Sequence, residues 1–178
     1  GALESVLRGL WPDTVIQRCY FHIHASIRTH LTRNPRTAAG KELLALTRTL
    51  GKITTAEQAA AFTAEFVSWA TRWNAMLKQR TYANTGQRPS YVQAGAQWWY
   101  THRELRKAHS LIRRLIIREQ LFTWMTAAQP AELLPKTTSP LEGGINAGIK
   151  ELLRRHRGLP PDHAMVAMEA PWVLFRFL

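Results

Sequence analysis

Apolar side chains recur at helical spacing along most of the chain. Leu3, Val6, Leu7 and Leu10 repeat at intervals of three and four until Pro12 stops them, which predicts a short amphipathic helix over residues 1–11. No N-cap residue precedes it, and so abrupt a start fits a chain taken from a longer protein. Residues 14–21, Thr-Val-Ile-Gln-Arg-Cys-Tyr-Phe, follow a Pro-Asp turn and are rich in β-branched and aromatic side chains. They form the best strand candidate and nearly the only one. From His22 the period turns helical: Ile23, Ile27 and His30-Leu31 share a face up to the break at Asn34-Pro35, and Leu43, Leu44, Leu46 and Leu50 mark the next helix. Thr54-x-x-Glu57 has the spacing of a capping box and opens a long helix running to about Arg80. Ala60, Phe62, Phe66, Trp69, Trp73, Met76 and Leu77 fill its apolar side. Asn84, Gly86, Pro89 and Gly95 make residues 81–95 the longest loop. A second long helix is expected over 96–118, and Leu121, Phe122, Trp124 and Met125 continue the apolar stretch toward Pro130 and Pro135.

With 178 residues, 46% of them hydrophobic, and seven tryptophans, the chain has enough apolar surface for one domain with a core. No apolar run approaches the length of a membrane span and no charged leader precedes the first helix, so no membrane role is expected and the chain reads as cytoplasmic. The single cysteine, Cys19, excludes an internal disulfide framework and fits a reducing compartment. Charge changes the picture most: 24 Lys and Arg against 12 Asp and Glu leave a formal +12, which calls for a polyanionic partner, nucleic acid first.

The cations are clustered. Arg103, Arg106, Lys107, Arg113, Arg114 and Arg118 oppose only Glu104 before Glu119, and Arg154, Arg155, His156 and Arg157 form a second group. Either group serves equally well as a solvated face; the overall imbalance favours phosphate contacts, which give affinity without reading sequence. Adjacent Trp98 and Trp99 cannot face one interior direction together, leaving one able to stack on an unpaired base, although core packing accounts for most of the tryptophans. Ser139 and Pro140 are suited to the N-cap and first position of a helix, where Glu142 completes a capping box. At four-residue steps Glu142, Asn146, Lys150 and Arg154 then share a polar face, and Gly143 and Gly144 leave room for a divalent cation and a phosphate backbone to approach the carboxylate. Cys19-x-x-His22, with His24 nearby, has ligand-type residues, but a structural zinc site needs four ligands and there is one cysteine; zinc is disfavoured. A structural motif is the simpler reading: Cys19 a small buried residue on a strand, His22 capping or orienting the next helix. The two aspartates, Asp13 and Asp162, follow prolines at turns or helix starts, where capping explains them. No Ser-His-Asp set or glycine-rich phosphate loop is present.

Two segments in order, Leu10-Trp11-Pro12-Asp13 leading to Ile16-Gln17-Arg18-Cys19-Tyr20-Phe21-His22, and Thr138-Ser139-Pro140-Leu141-Glu142-Gly143-Gly144-Ile145-Asn146 leading to His156-Arg157-Gly158-Leu159, resemble bacterial insertion-sequence transposases of the Mutator-like type. Trp98-Trp99-Tyr100-Thr101-His102 before a basic helix agrees in character. The resemblance implies a mainly α chain in which residues 1–34 and 136–178 are the carboxy-terminal part of a ribonuclease-H-like α/β core, with one strand at 14–21, and residues 35–135 are an all-helical insertion. It further implies a DDE triad of two aspartates and a glutamate holding two Mg2+ ions for DNA cleavage and strand transfer, with DNA and a second copy of the protein as partners, in a bacterial, nucleoid-associated setting. Glu142 matches the glutamate as catalytic residue and metal ligand, while both aspartates would lie upstream of Gly1; Asp13 falls after the first helix and does not fill the vacancy. Alone, such a chain is expected to be inactive. Lys150, Arg154, Arg155 and Arg157, with Arg103, Arg106, Lys107, Arg113 and Arg114, are the candidate DNA contacts. The competing reading is a non-catalytic basic helical nucleic-acid-binding module in which Glu142 is only a cap; weaker is a protein-interaction domain using exposed aromatics.

Overall fold

In a computed structural model of the chain, residues 2–12, 15–125, 136–137, 151 and 154 are described. The chain divides into two compact units, Gly1–Lys136 and Thr137–Leu178. The first is mainly helical with a small antiparallel sheet; in the second, the described residues include Glu151 and Arg154, both helical.

Helix α1 (Ala2–Leu10) forms as the periodicity predicts, yet Val6 and Leu10, with Trp11 after them, stay open to solvent. Of the strand expected at 14–21, the described residues 15–21 form none. Residues 15–19 carry no regular structure and helix α2 (Tyr20–Leu31) begins within the predicted strand, with Cys19 at its N-cap. The physical reason lies in what the segment pairs with. Arg18 N–H donates to the Gln120 carbonyl (2.9 Å) and Tyr20 N–H to the Lys136 carbonyl (3.1 Å), while Gln17 bonds through its side chain. Its amide nitrogen donates to Leu121 O (2.8 Å), and its oxygen accepts from Thr123 N (3.1 Å) and Thr123 Oγ1 (2.8 Å). A segment satisfied by a loop and by its own side chain makes no backbone ladder.

Helix α3 (Ala38–Thr49) follows the Asn34-Pro35 break and is capped by Thr37, whose hydroxyl accepts from Gly40 N. A 3-10 turn (Leu50–Lys52) leads to α4 (Ala56–Arg72). The cap of α4 sits one residue later than the box Thr54-x-x-Glu57 predicts: Thr55 Oγ1 accepts from Gln58 N, and Gln58 Oε1 accepts from Thr54 N at 2.7 Å. Glu57, released from that role, has its carboxyl held below the ordinary value by hydrogen bonds from its own backbone and from Thr55. The helix is also shorter than predicted. It stops at Arg72, a five-residue α5 (Asn74–Lys78) follows Trp73, and the chain then becomes strand β1 (Arg80–Tyr82). Glu42 on α3 takes hydrogen bonds from Trp73 Nε1 (2.8 Å) and Arg72 Nη1 (3.1 Å) at that break. Ala59, not the predicted Ala60, faces the core; Trp73 and Met76 are only partly buried.

The helix predicted over 96–118 begins instead with strand β2 (Trp98–Tyr100), paired antiparallel to β1, and becomes α6 (Arg103–Ile117) only after Thr101-His102. Gly86 tucks beneath this hairpin, where a Cβ would come within 2.6 Å of the Thr81 methyl. Helix α6 buries Leu105, Ala108, Ile112 and Leu115, a stripe of helical period, in a core shared with Tyr20, Ile23, Ile27 and Leu31 of α2 and Leu43, Leu44 and Leu46 of α3. Burying Leu105, Ile112 and Leu115 is worth about 5–9 kcal/mol of transfer free energy as an upper bound. That fixes the rotation of α6, and so the direction its cations face. Among the described residues no helix is long and apolar enough to cross a membrane.

Candidate nucleic-acid interface

The face of α6 opposite its buried stripe lines an open groove of about 660 Å³. Arg103, Arg106, Lys107, Ser110, Leu111 and Arg114 come from α6, Ser26 and His30 from α2, and Tyr100 from β2. Positions 103, 107, 110 and 114 are separated by steps of four, three and four, so one helical stripe carries three cations and a hydroxyl into the groove.

The arginines among these cations are held chiefly by rings and carbonyls, and Lys107 by a carboxylate. The Arg106 guanidinium lies 3.4 Å from the Tyr100 ring centre and donates to the Leu77 carbonyl; the Arg103 guanidinium lies 4.1 Å from the Tyr91 ring centre. A guanidinium stacked on a ring keeps in-plane N–H groups for an anion while losing rotamer freedom in advance. Arg114 Nε donates to Ser110 O at 3.2 Å. Glu104 bonds to three of the lining residues: its Oε1 accepts from Lys107 (2.9 Å) and more distantly from Arg103 (3.4 Å), and its Oε2 lies 2.8 Å from His30 Nδ1. Burial alone would raise the Glu104 carboxyl, but the bonds and charges of Lys107 and His30 outweigh it and hold it below the ordinary value. Glu104 thus anchors Lys107 while offsetting one of the groove's four Lys and Arg charges. What remains is net cationic, polar at its edges and fixed on a helix.

Of the α6 cations predicted as DNA contacts, Arg103, Arg106, Lys107 and Arg114 meet in this groove. Arg113 points elsewhere, lining a cleft with Phe66, Val67, His109 and Ile117. His109 stacks on Phe66 (centroids 5.5 Å apart, planes at 14°), and burial, then Arg113 and Arg106, push its pKa below the ordinary 6.5. Arg154 is exposed and makes a bidentate pair with Glu151 (2.8 and 2.9 Å), which raises its pKa further and ties its fork to a carboxylate. Glu142, Lys150, Arg155 and Arg157 lie outside the described residues.

Cys19 and His22 fall differently from the structural reading of them. Cys19 is half-buried at the N-cap of α2 rather than on a strand, and no side-chain cap bond forms there; its carbonyl accepts from Ile23 N at 3.0 Å. His22 is exposed in the first turn, edge-on to Phe21. The ring nitrogen left over in this region is Nε2 of His24, buried without a hydrogen-bond partner, and burial, then Arg28 and Arg48, lower its pKa. Among the described residues no three His, Cys, Asp or Glu side chains gather to hold a metal ion.

Reading by composition missed Ser26, His30, Ser110 and the hairpin residues Arg80, Tyr82 and Tyr91. The signal for the hairpin was present: two short β-prone triplets flanking a stretch rich in Asn, Gly and Pro. No protein-family model matches the chain, and comparison with curated proteins and with solved structures finds no match.

Proposed function

We propose that this chain binds nucleic acid through the α6 groove, as the carboxy-terminal portion of a DNA transposase of the DDE type. The observation that supports binding most directly is the convergence of Arg103, Arg106, Lys107 and Arg114 on one groove with Glu104 as partial counter-charge. Guanidiniums held by rings and carbonyls suit phosphate oxygens, which position a nucleic acid without reading its sequence. The transposase part of the proposal rests on the sequence motifs around Cys19-x-x-His22 and Glu142, and with it come the ribonuclease-H-like core, Mg2+ and DNA strand transfer. In that reading, residues upstream of Gly1 supply the two aspartates and this chain holds the DNA and contributes Glu142.

Two measurements separate the parts of the proposal. Duplex binding by the chain is expected to weaken steeply with salt, and Arg114→Gln to lower the slope of log K against log [salt] by about 0.9, one phosphate contact. Binding that ignores salt overturns the groove assignment. In the full-length transposase, Glu142→Gln is expected to abolish strand transfer while leaving DNA affinity unchanged; persistent transfer removes Glu142 from the metal site and leaves a basic binding module.

A further inference from the structure

The β1–β2 hairpin presents a second surface beside the groove. Its register pairs Arg80 with Tyr100, Thr81 with Trp99 and Tyr82 with Trp98. Residues paired across an antiparallel ladder share a face, and the face alternates along each strand. Arg80, Tyr82, Trp98 and Tyr100 therefore lie on one side and Thr81 and Trp99 on the other. Trp99 is buried, packed toward Gly86, whereas Tyr82 is 51% exposed and Trp98 37% exposed. The Arg80 guanidinium stands 3.9 Å from the Trp98 ring centre, and Trp98 meets Tyr100 edge-to-face at 5.2 Å. One face of a two-stranded ribbon thus carries three aromatic rings and a cation, and Tyr100 also lines the α6 groove, so the surface continues from rings to phosphate-binding cations.

We propose that this hairpin face is a stacking platform for unpaired nucleotides, so that the α6 groove and the hairpin together bind a single strand in preference to a duplex. The inference rests on the nucleic-acid reading of the groove. A duplex keeps its base faces stacked on one another, so a ring on a protein surface gains a base only where the strand is unpaired or ends. Phosphate contacts alone need no exposed tryptophan. Rings interleaved with arginines, as in Arg80, Trp98, Tyr100 and Arg106, match what a single strand offers: π-faces alternating with negative charge. The charge also favours this occupant over an apolar peptide, because the rings sit among Arg80, Arg103 and Arg106 rather than within an apolar surround.

The test measures, by anisotropy, affinity of the whole chain for a labelled oligothymidylate and for a blunt duplex of equal length at one salt concentration. Wild type is expected to favour the single strand. Trp98→Ala is expected to lose about 5- to 150-fold on the single strand, the range for one base–aromatic stack, and less than about twofold on the duplex; Trp98→Phe is expected to recover much of the loss. An equal loss on both ligands, or none on either, overturns the platform. Arg114→Gln keeps that failure separate from failure of the groove: if it weakens both ligands while Trp98→Ala weakens neither, phosphate binding stands and the platform falls. If neither ligand binds the wild type, both readings fall.

Discussion

Tyr20→Phe removes one oxygen from a buried network that ties the start of α2 to the segment after α6. The Tyr20 hydroxyl donates to Leu121 O at 2.6 Å and accepts from Trp124 Nε1 at 2.8 Å, and both residues are 4% exposed. Burial raises the Tyr20 pKa despite bonds from Trp124 and Gln17, so the hydroxyl stays protonated through the neutral range. In the variant, the Leu121 carbonyl keeps the Gln17 amide at 2.8 Å, but the indole N–H loses its acceptor. A lost neutral hydrogen bond costs about 1 kcal/mol net and an orphaned buried donor about 1–3 kcal/mol, partly offset because the variant no longer buries a hydroxyl. The expected loss is about 2 kcal/mol. With a denaturant slope of about 2 kcal/mol/M, the urea midpoint should fall by about 1 M. Trp124→Phe supplies the control: with the indole donor gone, Tyr20→Phe should cost only about 0.5–1 kcal/mol, giving a coupling of about 1–1.5 kcal/mol in the double-mutant cycle. A cost below about 0.5 kcal/mol in the parent, or the same cost in both backgrounds, refutes the orphaned-donor argument.

Glu119 occupies the left-handed position after α6 at φ 54, within a Schellman arrangement in which Gln120 N bonds Leu115 O at 2.9 Å and Glu119 N bonds Ile116 O at 3.0 Å. Glu119→Gly should therefore raise stability by about 0.5–1 kcal/mol in urea unfolding, the relief of left-handed strain and of a negative charge at a helix C-terminus exceeding glycine's entropic cost; a loss of stability would mean the strain argument is wrong. His109 has a folded pKa below 6.5, so the unfolded chain takes up its proton first as pH falls. Its contribution is constant above that range and turns against the folded state below pH 6.5, until the folded pKa is reached. Thermal melts of His109→Phe, which retains a ring against Phe66, should show a shallower decline of Tm from neutral pH toward pH 5, His24 supplying a remaining part in the same direction; an unchanged pH profile would count against burial as the cause.

Local periodicity reported what is set locally. The apolar stripes of α2, α3 and α4 were legible because each runs through several turns, and the break at Asn34-Pro35 because proline restricts its neighbour. Misreadings arose where a distant partner decides. Residues 15–19 carry strand-like side chains, but Gln17 and Arg18 bond to Gln120, Leu121 and Thr123, about a hundred positions away, and nothing near Gln17 announces a side chain that substitutes for a ladder. The α4 cap slipped by one because Thr54-x-x-Glu57 and Thr55-x-x-Gln58 overlap and both satisfy the same rule. Trp73 reads as one more apolar position at helical spacing, while in the fold its indole and the Arg72 side chain both reach Glu42 at the point where α4 ends.

The site was legible in the same uneven way, and the pattern bears on the platform. The clustering of cations on α6 is visible in sequence, and so is the apolar stripe Leu105, Ala108, Ile112, Leu115 that orients it; together they already separate Arg113 from Arg103, Lys107 and Arg114 by helical rotation. The hairpin's turn-rich loop was a signal, but its three-residue strands contain a single alternation each, too little to oppose the helical pattern on either side. Read as helix, Trp98 and Trp99 differ by a fraction of a turn, and their exposures cannot be told apart. On a strand they must face opposite sides, so one tryptophan fills the space above Gly86 and its neighbour is left partly exposed beside Arg80. An exposed indole is thus enforced by the backbone that also brings Tyr82 opposite it, and its use depends on that register: a substitution that breaks the ladder should remove the single-strand preference without altering any residue that touches the nucleic acid.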